Sequence, residues 1–188
     1  MAATRDRIVY EGAYGQSGEQ QSVQVSADSM FWIASMSKPI TSIAAMQLVE
    51  QDKLQLDSPI GELLPELANP QVLEGFAIDG RPLMRPAKGP ITLRQLLAHT
   101  SGFGYAFGDF PGMEKRWGLG YLINTEVTPE GRSAGSLGWA GLANTFFWVD
   151  PVKQVAGVIM SQILPFGDPA MMEVFNQFEA GVYRQLNR

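Results

Sequence analysis

The sequence predicts an α+β fold, a mainly antiparallel sheet flanked by N- and C-terminal helices. Three observations lead there. Extended and helical runs do not alternate along the chain, which argues against a parallel, doubly wound sheet. Three extended runs follow one another in the second half, and the last two are joined at Asp150-Pro151, a turn signal. Two segments, one towards each end, repeat their apolar residues at helical spacing. The length of 188 residues suits one domain or a domain and a half. A hydrophobic content of 45% against 18% charge is enough for a core and too little charge for disorder.

Taken in order, residues 8–14 mix β-branched and aromatic side chains, end at Gly15 and read as a strand. Residues 16–21 are polar and turn-like, and 23–34 form an extended lead into a helix. Across 37–54, Ile40, Ile43, Ala44 and Leu48 recur at helical spacing, with Met46 and Val49 widening the stripe. Pro39 suits the first turn, where its missing N–H costs nothing. Residues 58–67 read as a short helix. Four prolines and three glycines between Asn69 and Pro90 make that stretch a loop or a hairpin turning at Asp79-Gly80. Thr92 caps a short helix over 92–99, which His99-Thr100-Ser101-Gly102 ends with Gly102 as terminator. Residues 101–112 read as a connector. Residues 118–127, 144–149 and 154–163 are the three strands. Asp168 as N-cap and Pro169 at the first helical position open a final helix over 168–186, with Phe175, Phe178, Val182 and Leu186 as its apolar face.

Composition excludes several kinds of chemistry. The net charge of −5 disfavours a nucleic-acid partner, which needs a basic surface. With no cysteine there is no disulfide, thiol nucleophile or zinc–thiolate site, and with one histidine there is no multi-histidine metal site. A Ser-His-Asp triad would have to use His99. No metal and no cofactor is implied. The first residues carry no apolar signal region, and no run approaches membrane-spanning length. The expectation is a cytoplasmic protein with no membrane partner; export followed by processing would leave the same sequence.

The sharpest local feature is Ser35-Met36-Ser37-Lys38 at a helix start. Residues three apart lie on one helix face, so Ser35 Oγ and Lys38 Nζ can meet. The helix N-terminus favours negative charge nearby, and a lysine of lowered pKa can take a serine proton. The same four residues also make an ordinary solvated helix start with Ser35 as N-cap.

The surrounding motifs widen the comparison. The run Phe31-Trp32-Ile33-Ala34-Ser35-Met36-Ser37-Lys38-Pro39-Ile40-Thr41, the segment Leu54-Gln55-Leu56-Asp57-Ser58-Pro59-Ile60, the run Ile91-Thr92-Leu93-Arg94-Gln95-Leu96-Leu97-Ala98-His99-Thr100-Ser101-Gly102 and Trp139-Ala140-Gly141 follow one another in the chain. Together they resemble the serine β-lactamase-like superfamily, which comprises class C β-lactamases, DD-peptidases and family VIII carboxylesterases. The resemblance covers nearly the whole chain. It implies a reduced β-lactamase/transpeptidase-like fold, with Ser35 as acylated nucleophile and Lys38 as its proton partner. Trp139, Ala140 and Gly141 would form the W-x-G wall of the acyl site, and the backbone N–H groups of Ser35 and Leu142 the oxyanion hole. In this family the residue equivalent to His99 is structural. W-x-G in place of K-T-G favours esters over β-lactams.

One family motif, Y-x-N or Y-x-S, is absent. Tyr105 and Tyr121 are not followed by the right residues, although either could substitute as the base. The stretch between the His99-Thr100-Ser101-Gly102 run and the strand around Tyr121 is short for the family. The chain therefore resembles a truncated form lacking most of the helical domain. It reads as a single reduced domain over 1–188, with 55–112 the remnant of the helical region and connector. Its origin is left open between a natural miniature and an engineered minimal fragment. The expected function is a weak serine hydrolase of carboxylesterase type acting on short-chain esters through an acyl-enzyme. The alternatives are a non-catalytic or single-turnover remnant binding β-lactams or acyl groups, and a structural fragment. The expected partners are a small-molecule ester or β-lactam and, since truncation bares apolar surface, further copies of the chain in a homo-oligomer.

Overall fold

Buried side chains alternate with less buried ones along Phe146–Asp150, and this alternation assigns the two faces of the sheet. Phe146, Trp148 and Asp150 point to one face, Phe147 and Val149 to the other. In the computed structural model, which describes residues 1–17, 23–103 and 115–186, this is a central strand. In chain order the elements are β1 (Ala2–Thr4), β2 (Ile8–Tyr10), β3 (Gln16–Ser17), β4 (Val23–Gln24), α1 (Ser37–Glu50), β5 (Gln71–Phe76), β6 (Pro82–Pro86) and α2 (Leu93–Leu97). They continue as β7 (Lys115–Trp117), β8 (Leu122–Asn124), β9 (Leu137–Gly141), β10 (Thr145–Asp150), β11 (Val155–Ile159) and α3 (Pro169–Leu186). Among the described residues seven strands make the main sheet, in the order β2-β1-β11-β10-β9-β8-β7. The β1–β2, β1–β11, β10–β11, β9–β10 and β8–β9 pairs are antiparallel.

The chain divides into two compact units. One is formed by Met1–Ile40 and Tyr121–Arg188 with the segment ending at Arg116, the other by the run starting at Thr41 and by Trp117–Gly120. In the first, α3 covers the Trp148 face of the sheet. Its residues Phe175, Val182 and Tyr183 close a core with Ala2, Phe146, Trp148 and Val155. Phe146 and Phe175 stack at 4.7 Å, and Trp148 meets Phe175 and Phe178 edge-on. Each large side chain buried here contributes about 2–3 kcal/mol. Gly157 lies opposite Trp148 in the ladder, and a Cβ there would stand 2.2 Å from the indole, so only glycine leaves room for the ring. The helix starts as its sequence indicates: Asp168 Oδ1 accepts the Met171 N–H at 2.9 Å, and Pro169 is the first helical residue.

The second unit is organised around Ile60, Ile91 and Leu93, against which Ala45, Val49, Leu54, Leu56 and Leu97 pack. Thr92 and Gln95 form a reciprocal capping box at the start of α2, an arrangement worth about 1 kcal/mol to the helix. Residues 69–90 form the β5–β6 hairpin around Asp79-Gly80.

Several expectations are corrected. The α1 face buried in this unit is that of Ala45 and Val49, whereas Ile40, Ile43 and Leu48 are 59%, 48% and 38% exposed. Two apolar faces exist on this helix, and tertiary packing selects the one with smaller residues. Residues 58–67 form two 3-10 turns, Ile60–Glu62 and Pro65–Leu67, because Pro65 lacks the N–H that one continuous helix needs. The α2 helix is ended by His99 in the left-handed region (φ 55°), before Gly102. The N–H groups of His99 and Thr100 bond to Leu96 and Gln95 carbonyls at 3.2 and 2.9 Å, a Schellman closure. The strands expected over 8–14, 118–127 and 154–163 are paired only over Ile8–Tyr10, Leu122–Asn124 and Val155–Ile159. Asn144, expected to open a strand, is instead the left-handed turn residue before β10 (φ 57°). Strand β1 was not anticipated. Part of the connector read over 101–112 lies outside the described residues.

Candidate active site

Ser35 sits in a 3-10 turn, Ala34–Met36, that runs straight into α1. Lys38 Nζ donates to Ser35 Oγ at 3.1 Å. A single turn of chain sets this pairing, since three residues separate the two on one helical face. Ser35 is half-buried and Lys38 exposed. Ala34 adopts φ 46°, a left-handed conformation that costs an alanine roughly 1–2 kcal/mol and persists only where its surroundings hold it.

Those surroundings are identifiable. The Met36 N–H closes the turn on the Ile33 carbonyl at 3.0 Å. Thr145 Oγ1 donates to the same carbonyl at 3.4 Å. Gly141 lies so close that a Cβ on it would stand 2.2 Å from the Ile33 oxygen. One residue back, the Gln162 carboxamide takes both backbone groups of Trp32: Trp32 N–H donates to Oε1 and Nε2 donates to the Trp32 carbonyl, each at 3.1 Å. The turn that carries Ser35 is thereby docked on the end of the sheet.

Trp139, Ala140 and Gly141 are the last residues of β9, paired with Phe147, Phe146 and Thr145. Leu142, Ala143 and Asn144 make the three-residue turn into β10, with Asn144 at the left-handed position that this hairpin type requires. The structure therefore brings Ser35, Lys38 and the Trp139–Leu142 stretch into one neighbourhood. Tyr121, one residue before β8, packs edge-on to Phe147 with ring centres 6.3 Å apart. Burial pushes its phenol above the ordinary value. Tyr105 lies outside the described residues. His99 meets Trp117 in a tilted ring contact, centres 4.4 Å apart, in the other unit. No group of three or more His, Cys, Asp or Glu side chains suited to a metal occurs among the described residues. No helix among them is long and apolar enough to cross a membrane.

Asn144, Thr145 and Gln162 escaped the motif analysis. Asn144 carries a local signal, since asparagine tolerates the left-handed region. Gln162 carries none, because its partner is 130 residues away.

The family model described as Beta-lactamase matches residues 1–111, more than half of the chain. The chain belongs to the β-lactamase family. The β-lactamase-like fold also extends beyond the matched residues. A simvastatin synthase from Aspergillus terreus (the LovD9 mutant) superposes with a TM-score of 0.90 at 18% identity, over 100% of this chain and 93% of that one. Among sequence relatives, a lovastatin esterase from Penicillium rubens is 45% identical over 106 residues, 54% of this chain and 26% of that protein. The acyltransferase mokF from Monascus pilosus is 34% identical over 147 residues, 74% of this chain and 35% of that protein. The chain thus spans about a quarter to a third of the length of these relatives.

Proposed function

We propose that this β-lactamase-family protein is a serine hydrolase of carboxylesterase type, in which Ser35 is acylated by small-molecule esters. The observation that carries the reading is the 3.1 Å bond between Lys38 Nζ and Ser35 Oγ at the start of α1. As Ser35 Oγ attacks the ester carbonyl, Lys38 in its neutral amine form takes the hydroxyl proton. The negative charge on the tetrahedral oxygen is met by the N–H groups of Ser35 and Leu142. Collapse expels the alcohol, which leaves with the proton held by Lys38. Water then attacks the acyl-enzyme, Lys38 accepts a proton from it, and Ser35 recovers that proton as the acid departs. Trp139, Ala140 and Gly141 wall the acyl group.

The names of the relatives, an esterase and acyltransferases, agree with acyl-enzyme chemistry. They also favour a second reading in which an alcohol replaces water in the deacylation step. A truncated form lacking most of the helical domain is supported by a sequence match limited to 26–35% of the relatives' length. Loss of the Y-x-N tyrosine removes one proton-transfer group, a loss of about 10²–10⁴-fold, so turnover is slow. The test is hydrolysis of p-nitrophenyl butyrate, with and without an added alcohol, against Ser35→Ala. Release of nitrophenol by the wild type that disappears in the variant is expected; equal rates reject the reading.

The outward Ile40, Ile43 and Leu48 stripe supports a homo-oligomer. Light scattering at micromolar concentration is expected to give at least twice the chain mass, and a monomer mass rejects assembly.

A further inference from the structure

We propose that residues 161–167, the strap between β11 and α3, are a splint that fixes the spacing of the two N–H groups of the oxyanion hole, with Gln162 as its positioning residue. The inference rests on the serine-hydrolase reading above and adds a residue to it.

The two N–H groups come from separate parts of the chain. One belongs to Ser35, in the turn closed by the Met36–Ile33 bond, and the other to Leu142, in the β9–β10 turn. In sequence more than a hundred residues separate them; in space Thr145 Oγ1 and Gly141 both meet the Ile33 carbonyl, and the strap adds a second tie. The strap bonds to both. On the Ser35 side, Gln162 pairs with the N–H and the carbonyl of Trp32 at 3.1 Å each, imitating one rung of a β-ladder. On the Leu142 side, Ser161 Oγ meets the carbonyls of Ala143 and Asn144 at 2.7 and 3.0 Å. The fully buried Asn144 answers in the other direction. Its Nδ2 donates to the carbonyls of Ile163 and Pro165 at 2.9 and 2.8 Å, and its Oδ1 accepts the Gly167 N–H at 2.8 Å. Gln162 Nε2 is additionally turned towards the Ser161 carbonyl.

Adjacent residues of one short strap therefore hold the two turns: Ser161 the one carrying Leu142, Gln162 the one carrying Ser35. The Asn144 side chain is satisfied by three hydrogen bonds, so the strap cannot shift at that end without breaking them. Oxyanion stabilisation depends on donors placed at the position of the developing charge, where a small displacement lowers the rate without weakening ground-state binding. Gln162 touches no substrate; it acts through Trp32.

The experiment uses the full chain and p-nitrophenyl butyrate, with butylboronic acid as a tetrahedral probe. Gln162→Leu removes both bonds to Trp32, and Gln162→Glu keeps the acceptor and loses the donor. Gln162→Leu is expected to lower kcat on the order of tenfold to a hundredfold with KM within about twofold, a fraction of the loss on removing a whole oxyanion donor. The boronate affinity falls in parallel, and Gln162→Glu recovers part of both. A kcat unchanged in both variants overturns the inference, as does a loss confined to KM or one in which boronate affinity is untouched. If Gln162→Leu does not fold, Gln162→Glu decides on the same readouts. A wild type that neither hydrolyses the ester nor binds the boronate overturns the serine-hydrolase reading itself. An active wild type with indifferent variants overturns only the role of Gln162.

Discussion

Lys38→Ala is expected to lower the rate at which Ser35 is acylated by about 10²–10⁴-fold, the range for removing a positioned general base. A fluorophosphonate followed by mass spectrometry reads this directly: an adduct on Ser35 in the wild type, none in Ser35→Ala, and one that fails to form on the same time scale in Lys38→Ala. The size of the effect follows from the geometry. Lys38 Nζ is the group seen bonded to the serine oxygen, and one helical turn holds it there. Lys38→Arg is expected to fail as well, since a guanidinium does not give up its proton in proteins. Lys38 is exposed, so its removal should change stability by no more than about 0.5 kcal/mol, and lost labelling then reports chemistry rather than unfolding. No adduct anywhere, or an adduct indifferent to Lys38, leaves a structural or binding role for this chain.

Arg132→Ala is expected to cost about 3–5 kcal/mol at neutral pH, read as a lower urea midpoint. Glu179 on α3 is 1% exposed, and its carboxylate is held by Arg132 through Nε at 3.1 Å and the outer guanidinium nitrogen at 3.0 Å. Thr128 Oγ1 donates to it at 2.9 Å and accepts the Arg132 N–H at 3.0 Å, so one loop and one helix share the network. Burial pushes the Glu179 carboxyl above its ordinary value; Arg132 and Thr128 oppose this, while Glu130 adds to it. Because the folded value is raised, the folded state holds this proton more tightly than the unfolded chain does. That contribution is fully present below the unfolded value and is lost as pH rises through the folded one. Without Arg132 the folded value rises further. The difference between wild type and variant should therefore be largest at neutral pH and narrow on acidification towards pH 4. An Arg132→Leu, Glu179→Leu pair should recover most of the loss, because two apolar residues leave no buried charge behind. A difference independent of pH, or a double variant as weak as the single, would show that the ion pair is not what holds this loop to α3.

The elements read correctly from sequence are those whose signal lies within a few residues. Asp168-Pro169 opens α3 because cap and first turn are neighbours, and Thr92 opens α2 for the same reason. Phe175, Phe178 and Val182 face the core as their spacing indicates. The elements misread are those decided at a distance. The extent of β9 escaped the strand pattern because Gly138, Ala140 and Gly141 are poor strand formers; they are there because a flanking ladder, an α3-covered face and the Ile33 carbonyl leave little room. Likewise α1 carries two apolar faces, and its sequence has no means of ranking them.

By itself the sequence determined that Ser35 and Lys38 meet, that Trp139-Ala140-Gly141 lies ahead of a strand, and that the chain ends in a capped helix. Each of these depends on backbone geometry across at most a few residues, where torsion preferences and helical spacing act without help. Tertiary structure alone decided which face of α1 is inside and that Gln162 clasps Trp32 across 130 positions. Those outcomes depend on which groups the folded chain brings together. That choice belongs to the whole packed unit, because each buried polar group must be satisfied wherever the chain brings a donor or acceptor to it.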